Sequence, residues 1–531
     1  MESRGIAIPA IILAVSSVAS RLLGILRDWL LSERFGASAD LDVYFAAFRI
    51  PDLIYNLLVF GGIVVAFLPL FSDYYAKDKE GAWRFANNTL NVFLALLVLI
   101  SALLFVFTPQ MVAWIAPGFS AAQLAKTAFL SRLMFLSPII FGIASIFSGI
   151  LQYFQRFLAY SLAASLYNIG IIAGIIFLAP YSGITGVALG VIAGALLYLL
   201  VQVLPATKCG YHYQPIFRLG EPSLKRVAGL MLPRTLGIAA NQINLIAPTI
   251  IASTLAAGSI TVFNLASNIY AIPVGIIGIS WATAAFASFS KSYTDGRFEE
   301  LAQKFSVSYR QIGYFVVPAS FLLFVLRQPI VDILYYHGQF SHEAALLTSA
   351  SLGVFCLGIY FASMMPVIFR FFFSICDTAT PTLSTLVSVV ANIILNYVFV
   401  GMLAQGPLAE MARRIFGLPA TADISVLGLA LAFSAANALQ FAVLAVMVSL
   451  RKEIPVRFWP LAKSLLKTCI AGIFMAVAVY LVSGALPQGN TVRELLSLAV
   501  LAGVGAAVYI LATVMLKSPE LIPLKRYLRR K

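Results

Sequence analysis

The run Ser16-Ser17-Val18-Ala19-Ser20-Arg21-Leu22-Leu23-Gly24-Ile25-Leu26-Arg27-Asp28 lies inside an apolar helix read over 5–31, where a membrane span should carry no charge. The next apolar helix, read over 41–72, does the same with Asp42, Arg49 and Asp52. An ionised side chain at the bilayer centre costs about 2.5–3.5 kcal/mol even on the most lenient insertion scale. Six such groups on two neighbouring helices cannot all face lipid. They imply a watery, charged interior, as in a membrane transporter with a central cavity.

The rest of the chain fits that reading. Of its 531 residues 61% are hydrophobic and 11% charged, with a mean hydropathy of +0.94, against about 25% charged in soluble domains. The apolar runs are about twenty residues long, which excludes the short alternating strands of a membrane β-barrel. Windows of that length predict an all-α polytopic protein with spans near 5–31, 41–72, 86–107, 124–153, 158–178, 183–205, 225–254, 258–289, 305–326, 343–374, 382–403, 424–450, 462–483 and 494–516. Fourteen is even, so both termini share one side. With the N-terminus inside, the inner segments hold 22 Lys and Arg, including the tail Lys525–Lys531, and the outer loops hold six: Arg34, Lys126, Arg327, Arg413, Arg414 and Arg493. The positive-inside rule then places both ends in the cytoplasm. The net charge of +15 is thus a topology signal, and no nucleic-acid partner is implied. The first apolar run continues into its arginines without a small-residue cleavage site, so a retained span is expected. Cys209, Cys356, Cys376 and Cys469 form no CxxC, and His212, His337 and His342 fall in loops, so no metal or disulfide framework is expected. No phosphate-binding loop, zinc-protease or nucleophile motif is present, so the chain does not read as an enzyme and needs no cofactor.

Three ordered matches suggest an internal duplication. Pro69–Tyr75 resembles Ala287–Tyr293, Thr185–Gly190 resembles Leu427–Ala432, and Asn168 resembles Asn392, each six spans apart. Six is even, so the two halves insert in the same orientation, related by an axis along the membrane normal. The expected domains are an N-terminal lobe (1–206), a C-terminal lobe (207–450) and an appended helix pair with its basic tail (451–531).

The candidate binding residues come from helical spacing. Ser17, Arg21, Gly24 and Asp28 form one stripe of the first span; Ser16, Ser20 and Arg27 form the adjacent one. In the second span Asp42, Arg49 and Asn56 recur every seven residues. The planar fork of arginine suits phosphate oxygens, so Arg21, Arg27 and Arg49 are expected to bind an anionic, phosphate-bearing head group, with Asp28 and Asp42 holding them in position. The alternative is an ion-pair network that only rigidifies the lobe. Span seven adds Arg234, Asn241, Gln242 and Asn244, and span eight adds Asn264, Ser267 and Asn268. Asn392 and Asn396 read as a helix–helix hydrogen-bonding pair, and Asp377 or Thr378 as the cap of span eleven.

On these residues the chain resembles the MurJ/MviN lipid II flippases of the MOP superfamily, along nearly its whole length. The resemblance is carried by Ser20–Asp28, by Asp42-Val43-Tyr44-Phe45-Ala46-Ala47-Phe48-Arg49-Ile50-Pro51-Asp52-Leu53, and by Ala66-Phe67-Leu68-Pro69. Gly149-Ile150-Leu151 with Arg156-Phe157, Gly338-Gln339-Phe340 and Asp377-Thr378-Ala379-Thr380-Pro381 support it. It implies two six-helix lobes around a cationic cavity, a polyprenyl groove made by the last two helices, and a bacterial inner-membrane location. It also implies transfer of the undecaprenyl-diphosphate-linked peptidoglycan precursor, lipid II, to the outer leaflet by alternating access. Arg21, Arg27, Asp28 and Asp42 match family cavity positions. Tyr55, Phe60 and Ser267-Asn268 stand where the family commonly carries charges, which leaves a flippase for another lipid-linked glycan as an alternative. A non-transporting scaffold for cell-wall assembly is the other. Membrane lipids and cell-wall synthesis proteins are the remaining expected partners.

Overall fold

The computed structural model describes residues 2–484, 491–518 and 520. Side chains at 2–11, 61–62, 64–65, 232–234, 236–237, 240–241 and 491–492 lie outside the description, so nothing is assigned to Arg4, Arg234 or Asn241, or to the tail 525–531. Every regular element among the described residues is a helix. Eleven are long and apolar enough to cross a bilayer, or twelve if a bent pair counts as one span. The 34-residue Glu2–Phe35 and the 31-residue Pro222–Ala252 also exceed the ~30 Å hydrocarbon thickness at about 1.5 Å per residue. They bring the number to the fourteen expected.

We number these spans α1 (Glu2–Phe35), α2 (39–77), α3 (Lys79–Ile115), α4 (Ala121–Tyr153), α5 (Phe157–Ser182), α6 (Ile184–Lys208) and α7 (Pro222–Ala252). There follow α8 (Ser259–Thr294), α9 (Phe298–Val325, then Arg327–Tyr335), α10 (His342–Ser374), α11 (Ala379–Ala404), α12 (Val426–Ser449), α13 (Phe458–Ser483) and α14 (Thr491–Met515). Leu99, Leu103, Val106 and Trp114 of α3 are 67, 56, 64 and 76% exposed. A water-soluble protein would bury such a stripe; here it is a lipid-facing surface.

The chain divides into two compact units, Met1–Thr261 with Gly338–Phe340, and Val262–His337 with Ser341–Lys531. In the first, α5 and α6 meet along glycines. A Cβ built on Gly170 would lie 2.2 Å from the Cα of Gly194, and one on Gly190 would lie 2.7 Å from the Cα of Gly174. Small residues let backbones approach where lipid supplies no hydrophobic drive. In the second unit Gly428 of α12 meets the backbone of Phe399 and Val400 of α11, as Gly186 of α6 meets Leu178 and Ala179 of α5. The same contact thus recurs in each unit at duplicated positions. Gly190→Leu is expected to lower stability by about 3 kcal/mol or more, because the obstructing atoms are backbone and cannot rotate away; thermal unfolding in detergent measures it.

Aromatic rings fill one end of the first unit. Phe67 stacks on Phe71 and Phe85 at 5.4 and 5.6 Å, and Phe71 meets Trp83 and Tyr153 at 5.4 and 5.3 Å. The segment after α6 is pinned there by three asparagines of α3. Asn87 donates to His212 O and accepts from Tyr211 and from Gln214 N, Asn88 exchanges two bonds with the Arg218 backbone, and Asn91 donates to Gln214 O and Ile216 O. Extended backbone that lacks a strand partner finds one in these amides.

Two proline effects shape the helices. Pro329 cannot donate to Val325 and its ring crowds that carbonyl, and α9 turns by 70° at this point. Pro51 precedes the π-helical Tyr55–Ile63 of α2. There Thr235 of α7 donates to Leu57 O at 3.1 Å, and just before that segment Gln242 of α7 donates to Asp52 O at 3.5 Å. Of the two capping residues left open for α11, Asp377 does the work, accepting from Thr380 N at 3.0 Å and Thr380 Oγ1 at 2.7 Å. Asn396 donates to Asn392 at 2.7 Å within α11 itself, so this amide pair bonds along one helix, not between two as expected.

Candidate functional site: a charged cluster in the first unit

The two stripes of α1 go to different places. Ser16, Ser20 and Arg27 face α5: Ser16 donates to Ser161 at 2.9 Å, and Asn168 reaches both Ser20 and Arg27 at 3.3–3.4 Å. Arg27 donates its Nε and Nη2 to one Asp28 oxygen at 3.0 and 2.8 Å, with Asp28 itself buried. The other stripe is open apart from Asp28. Ser17 and Arg21 are exposed, nothing lies within 4 Å of a Cβ on Gly24, and Arg21 makes no hydrogen bond or ion pair among the described residues.

On α2, Arg49 donates its Nε to Thr249 of α7 at 2.8 Å. Asp52, three residues on, feels the charges of both Arg49 and Arg27. Tyr44 and Tyr167 sit within the field of Arg27 and Asp52. Arg27, Asp28, Arg49 and Asp52 therefore make one cluster, rimmed by tyrosines and by Asn168. Sequence reasoning left Asp52 and the tyrosines out of the binding set, although Asp52 at i+3 from Arg49 carried the signal.

Asp28 holds an arginine as expected, whereas Asp42 does not. Its carboxylate is buried and accepts from Gly258 N at 2.7 Å, Thr261 N at 2.8 Å and Thr261 Oγ1 at 2.7 Å. The seven-residue spacing that aligned Asp42 with Arg49 ignored the helix start, where a carboxylate satisfies free backbone N–H groups better than a distant guanidinium. Asn56 returns its amide to Asp52 O at 2.9 Å along its own helix. Asn268 lies exposed on α8, in the second unit.

Asp42 belongs to a second feature of the first unit, a knot of turns. The Cβ that Gly258 lacks would fall 2.4 Å from Ala37 O, that of Gly36 2.4 Å from Gln339 O, and that of Gly338 2.2 Å from Glu33 O. Gln339 N donates to Glu33 O at 2.8 Å, and Gly118 N to Ser253 Oγ at 3.2 Å. Gly36, Gly258 and Gly338 have φ of +62°, +92° and +54°, so here glycine answers both a left-handed backbone and a close approach. The turns α1–α2, α3–α4, α7–α8 and α9–α10 thus close one end together.

In the second unit α9, α13 and α14 enclose an apolar groove of about 410 Å³, lined by Tyr314, Phe315, Leu322, Met475, Tyr509 and Ile510 among others. Among the described residues no group of three His, Cys, Asp or Glu side chains is placed to hold a metal ion.

Comparison with known proteins bears on this arrangement. The chain is similar to a probable lipid II flippase MurJ of Buchnera aphidicola subsp. Schizaphis graminum, 31% identical over 69% of this chain and 72% of that one. Its fold is similar to that of a lipid II flippase MurJ in an inward closed conformation, with a TM-score of 0.77, 24% identity and coverage of 95% and 98%. A multidrug resistance MATE transporter of the MOP superfamily shares the fold at a TM-score of 0.66, 15% identity, with coverage of 84% and 96%. The profile described as lipid II flippase MurJ matches residues 31–500, and the chain therefore belongs to the MurJ lipid II flippase family.

Proposed function

We propose that this chain carries lipid II from the cytoplasmic to the outer leaflet by alternating access, with both termini in the cytoplasm. The observation that supports this most is Arg21: exposed, near the middle of α1, with no protein partner among the described residues. A guanidinium there cannot rest against hydrocarbon. Water and an incoming diphosphate are what remain for it. Arg27 and Arg49, oriented by Asp28 and Thr249, would meet the same head group. With the N-terminus inside, the knot of turns built on Gly36, Gly118, Gly258 and Gly338 would serve as an outer seal. The groove beside α13 and α14 would take the first part of the polyprenyl tail.

A second reading, transfer of another lipid-linked glycan, is favoured by the uncharged Tyr55, Phe60, Ser267 and Asn268. Arg21→Ala is expected to reduce flipping of fluorescent lipid II in proteoliposomes at least tenfold, the worth of one charge-assisted hydrogen bond of about 1.5–3 kcal/mol. Melting temperature should change little, since Arg21 makes no hydrogen bond or ion pair among the described residues. Unchanged flipping would remove Arg21 from the site. A wild-type chain inactive on lipid II but active on another undecaprenyl-linked glycan would establish the second reading.

A further inference from the structure

Between α11 and α12 the chain forms a ten-residue helix, Pro407–Phe416, that no part of the transport reading uses. It is a firm element. Gly406, at φ +105°, turns the chain into it, and Gly417, at φ +66°, ends it with Leu418 N donating to Arg413 O at 2.9 Å. One side is docked on the second unit: Ala409 is fully buried, and the Arg327 guanidinium lies 5.3 Å from the Phe416 ring centroid.

A different side is bare. Leu408, Met411 and Ile415 follow i, i+3, i+7 spacing and are 38, 53 and 56% exposed. Glu410 projects from the far side, where Arg413 is half-buried and donates to Ala422 O at 3.3 Å, and Arg414 stands at the margin, exposed and without a partner among the described residues. Only Gln405 and Gly406 separate this helix from the last residue of α11, which limits its distance from the end of a membrane span to about 7–10 Å. A helix so tethered, with an apolar edge, a polar back and a cation at the boundary, matches the bilayer interface in both depth and charge.

We propose that Pro407–Phe416 is an interfacial anchor. Leu408, Met411 and Ile415 sink into the acyl boundary, and Arg414 takes the phosphate of an anionic phospholipid. By the topology above this is the outer leaflet. Because Phe416 is stacked with Arg327 at the bend of α9, the anchor fixes the depth of that bend in the bilayer.

The full chain, in a Cys376→Ser background, is labelled with an environment-sensitive fluorophore at Met411→Cys or Glu410→Cys. It is then reconstituted in phosphatidylethanolamine vesicles with about one quarter phosphatidylglycerol. The label at 411 should be quenched by a shallow spin-labelled lipid and shielded from aqueous iodide, and the label at 410 should behave the opposite way. Equal iodide quenching at both sites overturns the proposal and leaves the apolar edge to a protein partner. Phosphatidylglycerol should raise the melting temperature more than phosphatidylcholine does, and Arg414→Gln should remove most of that difference. A difference that survives the substitution overturns the assignment of the phosphate to Arg414.

Discussion

Arg27→Ala is expected to abolish lipid II flipping and to destabilise the first unit, and a second substitution should separate the two effects. The Arg27 side chain is 26% exposed and that of Asp28 only 5%, so truncation strands a buried carboxylate without its cation. Breaking a buried pair on one side costs about 3–5 kcal/mol. Arg27→Ala/Asp28→Asn removes the stranded charge and should recover most of the melting temperature. Flipping should not recover. Two charge-assisted bonds to a diphosphate, about 1.5–3 kcal/mol each, correspond to a loss of roughly hundredfold or more. Arg27→Lys keeps the charge but loses the fork that lets one guanidinium reach Asp28 and Asn168 together, and it should fall between. A double variant that flips lipid II at the wild-type rate would mean that the cluster only braces the helices.

The charges of α1 and α2 were the most legible part of this molecule, for an energetic reason: in hydrocarbon an ionised group is expensive enough that its presence alone predicts a wet or paired environment. That argument singled out Arg21, Arg27 and Asp28, but it put Asp28 on the stripe of Arg21, whereas Asp28 is buried against Arg27. It did not divide their roles, because helical spacing gives an angle and not a neighbour. Arg27 meets Asn168 from 141 residues away, and Arg49 meets Thr249 from 200 residues away. The knot of glycines was harder still. Gly36 and Gly258 are unremarkable in the sequence and Gly338 stands out only as part of a family string; only the fold shows that each faces backbone from a distant turn. Asp42 misled for the same reason, since its partners are main-chain N–H groups that no residue type announces. The repeated Thr185–Gly190 and Leu427–Ala432 strings were readable because close helix approach demands small residues in both halves.

The seal yields the second large effect. Gly338→Val is expected to open it and to make position 37 reachable from outside. A β-branched residue at φ +54° is strained by about 1–2 kcal/mol, and its Cβ would stand 2.2 Å from Glu33 O. The nearest obstructing atom, Glu33 O, is backbone and cannot rotate away as the Glu33 side chain can, so relief requires the turn to leave the end of α1, breaking the 2.8 Å bond from Gln339 N to Glu33 O. Strain and lost contact together come to about 3–4 kcal/mol, which shifts a two-state equilibrium by two to three orders of magnitude. In cells carrying Ala37→Cys and Cys376→Ser, a membrane-impermeant maleimide should label Gly338→Val quickly and the parent slowly. Gly296→Val is the control: Gly296 also has positive φ, +69°, but nothing lies within 4 Å of its missing Cβ. If strain alone drove the change, both valines would raise labelling. If the α9–α10 turn closes the outer end, only Gly338→Val will, and flipping will slow because the carrier no longer returns readily to the sealed state. Equal labelling of parent and Gly338→Val would show that this end does not gate access to the site.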